Sequence, residues 1–298
     1  MQYKKPPLNI QSQLGLVKSR GLQFKNENKA GHYLSNISYY RLRAYTYPFQ
    51  NNNLIDHPFQ NGICFEDIIF FYVFDRKLRM LVFNAIEKIE IAIRTKMVYY
   101  FSLSHGSHWH ENSALYLGNT RFIKDLGDLY KEIDRSTETF INHYTNKYTN
   151  PVYPALWMSL EVASMGLLSK IFSNLKNSPE KKSICRDFGV THYTVLESSL
   201  HSICHVRNIC AHHGRLWNRR LTVPPQLPKN PIFPFLNNTS LNLNKPYPIL
   251  SCITYILHII SPNSNFNSNL KDLLRDCPLV SLKEMGFPKN WEKEPIWQ

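Results

Sequence analysis

The chain has 298 residues, 43% hydrophobic and 13% aromatic, with 17 Tyr and 17 Phe, which is enough apolar surface to close a core and excludes a disordered polar chain. Thirty-five Lys and Arg oppose 22 Asp and Glu, a formal net charge of +13 that attracts polyanions such as nucleic acid. The cysteines Cys64, Cys185, Cys204, Cys210, Cys252 and Cys277 form no C-x-x-C pair, and the opening Met1-Gln2-Tyr3-Lys4-Lys5-Pro6-Pro7 lacks a signal-peptide pattern, so reduced thiols in a cytoplasmic protein are expected.

In chain order, residues 1–60 read as an N-terminal helical extension: a helix over Ile10 to Arg20, a turn at Gly21, and a second helix over Lys29 to Leu34. That second helix is expected to run on into the aromatic string Ser38-Tyr39-Tyr40-Arg41-Leu42-Arg43-Ala44-Tyr45. Its tyrosines suit either core packing with hydroxyls at the surface or a stacking platform for bases. The best helix lies over Phe65 to Phe101, where Phe70, Phe74, Leu78, Leu81, Ile86, Ile89 and Ile93 recur at three- and four-residue steps. Arg76, Arg79, Glu87, Lys88, Glu90 and Arg94 read as its solvated, charge-paired side.

A loop over Gly106 to Gly118 carries His108 and His110 next to His105, without the matching set of carboxylates or cysteines a metal would need. Arg121 to Tyr148 reads as a charged helix, and Pro154 to Leu175 as an apolar one begun by proline. Thr191 is placed to cap a helix continuing through Ser199, His205 and Ala211. Residues 222–298 combine a loop rich in Pro and Asn over 222–248 with short helices near Ile249 to Ile260 and Leu270 to Asp276. The apolar run Ile249 to Ile260 is too short to span a bilayer and contains His258, so it reads as a buried core helix and no membrane partner is expected. With no strand-rich region and no repeat, the expected fold is all-α: one helical bundle over 1–298 with additional N- and C-terminal helices.

Charge is unevenly placed. From Ser198 to Lys271 there is no Asp or Glu, while Arg207, Arg215, Arg219, Arg220, Lys229, Lys245 and Lys271 all fall there, so a phosphate backbone would meet no repulsion. Within that stretch, at about 100° per residue, His201, His205, Asn208 and His212 share one helical stripe, with Arg207 at a neighbouring azimuth. Cutting RNA without a metal requires a base for the 2′-hydroxyl, an acid for the leaving 5′-oxygen, and positive donors around the phosphate. Histidine serves the first two near neutral pH and an arginine fork the third, which Arg207 with His212 would satisfy. Three other readings remain open: histidines hydrogen-bonded at a helix end in a scaffold, a basic helix that holds RNA without cutting it, and a metal set of His201, Cys204, His205 and His212. The last lacks a carboxylate and is crowded by arginine.

Arg207-Asn208-Ile209-Cys210-Ala211-His212 resembles the R-N-x-x-x-H signature of HEPN-domain ribonucleases. The longer string through His213, Arg215, Leu216, Trp217, Asn218 and Arg219 resembles abortive-infection proteins of the AbiD/AbiF type, and four further segments match the same family in order. They are Ile37-Ser38-Tyr39-Tyr40-Arg41-Leu42, Phe74-Asp75-Arg76-Lys77-Leu78-Arg79, Ile86-Glu87-Lys88-Ile89-Glu90 with Arg94, and Met285-Gly286-Phe287-Pro288 with Trp291. The resemblance implies a HEPN four-helix core and a homodimer whose Arg and His meet in a composite site. It also implies metal- and cofactor-independent RNA cleavage leaving a 2′,3′-cyclic phosphate and a 5′-hydroxyl. Carried onto this chain, Arg207 would hold the phosphate, His212 would act as general acid/base, and Asn208 would orient it. His213 also falls within the spacing the family allows. Arg41, Arg43, Arg215, Arg219 and Arg220 are expected to guide RNA, and the likeness extends to a toxin-like defence role restrained by a small non-coding RNA.

Overall fold

The computed structural model describes residues 2, 4 and 6–298; Met1, Tyr3 and Lys5, part of the opening run weighed for a leader, lie outside the described residues. Regular structure starts where the Asn9 side chain accepts from the Ser12 N–H and caps α1 (Ile10–Ser19), which ends at Gly21 with φ +92°. Asn26 caps α2 (Glu27–Ile37) in the same way. The expected continuation into the tyrosine string is broken at Ser38, which takes φ 66° and then caps α3 (Tyr39–Thr46) with its own hydroxyl. A short-range hydrogen bond from a serine side chain competes with the helix ladder, and here it turns the chain.

Forty-one residues without Gly or Pro form α4 (Phe65–His105), about 61 Å long, entered through a Cys64 N–H that donates to Asp67 Oδ2 at 2.8 Å. The His-containing loop after it folds into two single 3₁₀ turns, Trp109–Glu111 and Ser113–Leu115. Two expected long helices are each interrupted. Arg121 to Tyr148 divides into α5 (Asn119–Asp134) and α6 (Thr139–Lys147) around an extended Glu138. Pro154 to Leu175 divides into α7 (Leu156–Ser159), a 3₁₀ turn, and α8 (Met165–Asn174), because the Ser164 hydroxyl accepts from Leu167 N–H and begins a new helix. A helix absent from the sequence reading, α9 (Pro179–Asp187), starts at a Ser178 cap with Pro179 in the first turn, a legible start signal. The next, α10 (Tyr193–Ala211), is entered from an extended His192 and not from Thr191. The chain closes with α11 (Pro246–Ile260) and α12 (Phe266–Arg275). The fold is all-α; among the described residues the only β pairing is three isolated bridges.

Helix α4 is the axis of the bundle, packing against α3, α8, α9, α10, α11 and α12. Leu78, Val82, Ile86, Ile89, Ile93 and Met97 follow a helical period and are fully buried, each burial contributing about 2 kcal/mol. Helix α11 is buried all round from Pro246 to Leu257, as a core helix should be. One continuous core runs from Leu14 to Trp297, so the N-terminal helices and the C-terminal segment rest on the same interior. The last residues return to α11: Tyr247 N–H donates to the Met285 carbonyl at 3.0 Å, and the Trp297 indole donates to the Tyr247 hydroxyl at 3.2 Å. Gly286 at φ +87° permits this approach, since a Cβ there would lie 2.6 Å from Lys245 Cβ.

Candidate functional site at the end of helix α10

Helix α10 stops within the motif. His212 N–H still donates to the Asn208 carbonyl at 3.0 Å, after which His213 N–H reaches back to Cys210 and Gly214 N–H to Ile209, at 3.1 and 2.8 Å. This is a Schellman closure with His213, at φ 56°, in the left-handed position usually given to glycine. Because the last α-type bond is kept, His212 stays on the predicted stripe: His201, Asn208 and His212 are exposed and His205 is half-buried. His205 Nε2 lies 3.3 Å from Thr222 Oγ1, and burial, aided by Arg219 and His201, lowers its pKa. The Asn208 amide turns back to Cys204 Sγ at 4.0 Å and not forward to His212.

Arg207 leans the other way, onto α4, where its guanidinium sits 5.6 Å from the centre of the Phe83 ring. Its Nε is buried and has no hydrogen-bond partner among the described residues. Such a donor is costly to leave unpaired unless water or a ligand reaches it. Five residues along a helix turn about 140°, so Arg207 and His212 of one chain diverge.

The segment after the motif is fixed by Asp75 of α4, which is fully buried. Its Oδ1 accepts the backbone N–H groups of Leu216 (2.9 Å) and Trp217; its Oδ2 accepts the Tyr45 hydroxyl (2.6 Å) and the Arg79 guanidinium. Arg79 also donates to the Tyr45 oxygen at 3.0 Å and is 5% exposed, so it belongs to the interior and not to the solvated face expected for it. Trp217 stacks on Phe71 with ring centres 4.6 Å apart. Sequence reasoning missed this frame, although a signal was present: Asp75 occupies a position that the spacing of Phe71, Leu78 and Val82 assigns to the core.

The arginines expected to guide RNA divide into two sets. Arg215 is half-buried, donates to the Ala44 carbonyl, and has its pKa lowered by burial; Arg219 donates to the Arg215 carbonyl at 3.2 Å. Arg41, Arg43 and Arg220 are exposed, and Arg41 also braces the left-handed turn by donating to the His213 carbonyl at 3.0 Å. The acid-free stretch is likewise no single free patch, because folding sets Lys245 3.7 Å from Glu284 and Lys271 on the Trp297 carbonyl. A cleft of about 800 Å³ opens beside the motif, between the end of α2, α3, α4 and the end of α10; Arg41, Phe83, Ala211 and His213 are among its walls. His213, and not His212, faces it.

His105 lies 3.6 Å from Glu180, His108 is hydrogen-bonded to Ser107 and the Tyr153 carbonyl, and His110 is buried. Among the described residues no three His, Cys, Asp or Glu side chains gather as a metal would require.

The fold is an all-helical bundle in which Arg207 and Asn208 lie in the last turns of α10 and His212 caps it. Residues 32–218 match the family model described as Abi-like protein, and the chain belongs to that family, which points in general terms to abortive infection. The match ends one residue beyond Trp217, so it takes in the motif and the segment held by Asp75. No curated protein and no solved structure matches the chain significantly.

Proposed function

We propose that the protein is a metal-independent endoribonuclease of the HEPN type, acting in the cytoplasm in abortive infection of the AbiD/AbiF kind. The observation that carries this reading is Arg207: among the described residues its guanidinium has no acidic partner and its buried Nε no hydrogen-bond partner, and it sits on a helix that ends in two exposed imidazoles. Arg207 holds the scissile phosphate and stabilises charge that builds on its oxygens. An imidazole, His212 first and His213 as its rival, takes the proton of the 2′-hydroxyl as that oxygen attacks phosphorus. The 5′-oxygen leaves with a proton from a second imidazole, giving a 2′,3′-cyclic phosphate and a 5′-hydroxyl. The divergence of Arg207 and His212 within one chain supports a site shared by two copies, each giving its arginine to the other's histidine. A small non-coding RNA on the same basic surface would act as a competitive restraint.

The test is cleavage of end-labelled RNA in EDTA by wild type, Arg207→Ala, His212→Ala and His213→Ala, with circular dichroism to confirm folding. Wild type should cut with cyclic-phosphate ends, and Arg207→Ala and His212→Ala should fall by roughly 10²-fold or more. Loss of cutting in His213→Ala alone would reassign the acid/base role. Folded wild type that binds RNA without cutting it would replace the nuclease by a holder of a non-coding RNA.

A further inference from the structure

The cleft beside the motif carries chemistry that phosphate binding and proton transfer do not use. One stripe of α4 runs along it: Arg76, Met80, Phe83, Asn84 and Glu87, at three- and four-residue steps over about 16 Å. Its character changes along its length, from a cation through an exposed thioether and phenyl ring to a carboxylate. Met80 is 58% exposed and Phe83 38%, and of the exposed large apolar side chains of α4 these two line the cleft. Some charges on α4 are paired, Asp75 with Arg79 and Glu90 with Arg94, whereas Lys77 and Lys88 point to solvent away from the cleft lining. Arg76 and Glu87 are exposed and have no such partner among the described residues. Phe83 links this stripe to the motif, since its ring carries the Arg207 guanidinium. A phosphate on Arg207 therefore places a flanking nucleoside at the mouth of the cleft.

We propose that the cleft is a nucleobase subsite that takes an unpaired guanine next to the phosphate held by Arg207. The base stacks against Phe83 and Met80, and the Glu87 carboxylate accepts from its Watson–Crick edge. A carboxylate offers acceptors only. Guanine presents two adjacent donors on that edge, N1–H and the N2 amino group. Adenine and cytosine set one amino group beside an acceptor nitrogen, and uracil sets one N–H between two carbonyls. A pairing of both carboxylate oxygens with two donors is thus available to guanine and to no other standard base. Arg76, about three turns of α4 from Glu87, and Arg41 on the α3 wall suit the phosphate of the next nucleotide. The guanine must be single-stranded, because a paired one has that edge occupied. This inference rests on the reading of the site as one for RNA, but not on cleavage.

The test is anisotropy with wild-type protein and short 2′-fluoro oligouridines, which have no 2′-hydroxyl and are not cut, carrying one central guanine, inosine, adenine or uracil. Guanine should bind roughly tenfold more tightly than uracil or adenine, with inosine, which lacks the N2 amino group, in between. Glu87→Gln, a change at an exposed position, should remove the guanine preference without weakening the all-uridine oligomer, and Phe83→Ala should weaken all four. Equal affinity for the four oligomers, no binding of any, or a guanine preference that survives Glu87→Gln overturns the proposal. So does a change of oligomeric size in Phe83→Ala with unchanged affinities, which would mean that a second copy covers the cleft. Guanine preference without RNA cleavage would sink the nuclease alone, and cleavage without base preference would sink the subsite alone.

Discussion

His110 shows how a single side chain sets a pH dependence. It is 1% exposed and neither ring nitrogen has a hydrogen-bond partner among the described residues, Glu111 Oε1 standing 3.9 Å from Nε2, so burial, with His108 nearby, lowers its pKa from 6.5 to about 4. Below pH 6.5 the unfolded chain takes up a proton that the folded protein refuses until about pH 4, so stability complete above 6.5 is lost as pH falls. Between pH 7 and 5 this amounts to about 2 kcal/mol. His205, also lowered, adds in the same direction. Asp125, which lines the same small cavity as His110, opposes it, because burial raises its carboxyl pKa and favours proton uptake in the folded state. Urea midpoints of wild type should therefore drop on acidification, and those of His110→Leu should drop far less; equal slopes would place the acid sensitivity elsewhere. The sequence showed three histidines near one loop, but their differing environments arise only when α5 and α8 pack over His110.

At the scale of elements, Asp75 joins α3, α4 and the segment after α10. Asp75→Ala removes the charge facing a buried Arg79 and leaves the Leu216 and Trp217 N–H groups unsatisfied, which should cost about 3–5 kcal/mol. Asp75→Asn keeps an acceptor for the two amides and should cost less. Equilibrium denaturation of the two variants checks the order, and an Asp75→Ala protein as stable as wild type would remove the frame its importance. Strong periodicity made α4, α10 and α11 legible in the sequence. The breaks at Ser38, Glu138 and Ser164 were not, because a polar residue between two apolar stretches reads equally well as a helix surface or as a cap. Arg79 was misplaced for a related reason: a helix surrounded by others has no outer face there, and its charge is held inside by Asp75 and Tyr45.

At the scale of the whole molecule, the separation of Arg207 from His212 around α10 makes oligomeric state the decisive property of the proposed enzyme. If two copies share each site, Arg207→Ala and His212→Ala proteins, each inactive alone, should regain about a quarter of wild-type activity when mixed and allowed to exchange subunits. Half of the dimers are then mixed, and each mixed dimer keeps one intact site of two. A mixture as inactive as its components would require both groups to act from one chain, which their azimuths disfavour.

The sequence by itself determined the helical class, the long axis α4, the core character of α11, membership signs of the Abi-like family, and the stripe of His201, Asn208 and His212. Each of these depends on local spacing, and local spacing survives folding. Only the tertiary structure decided that Asp75 and Arg79 are interior, that Arg215 is bound to Ala44 and not free, that His213 turns into the left-handed region, and that Arg207 rests on Phe83 at the edge of a cleft. Those outcomes depend on which distant segment lies opposite each side chain, and one-dimensional periodicity carries no information about that neighbour.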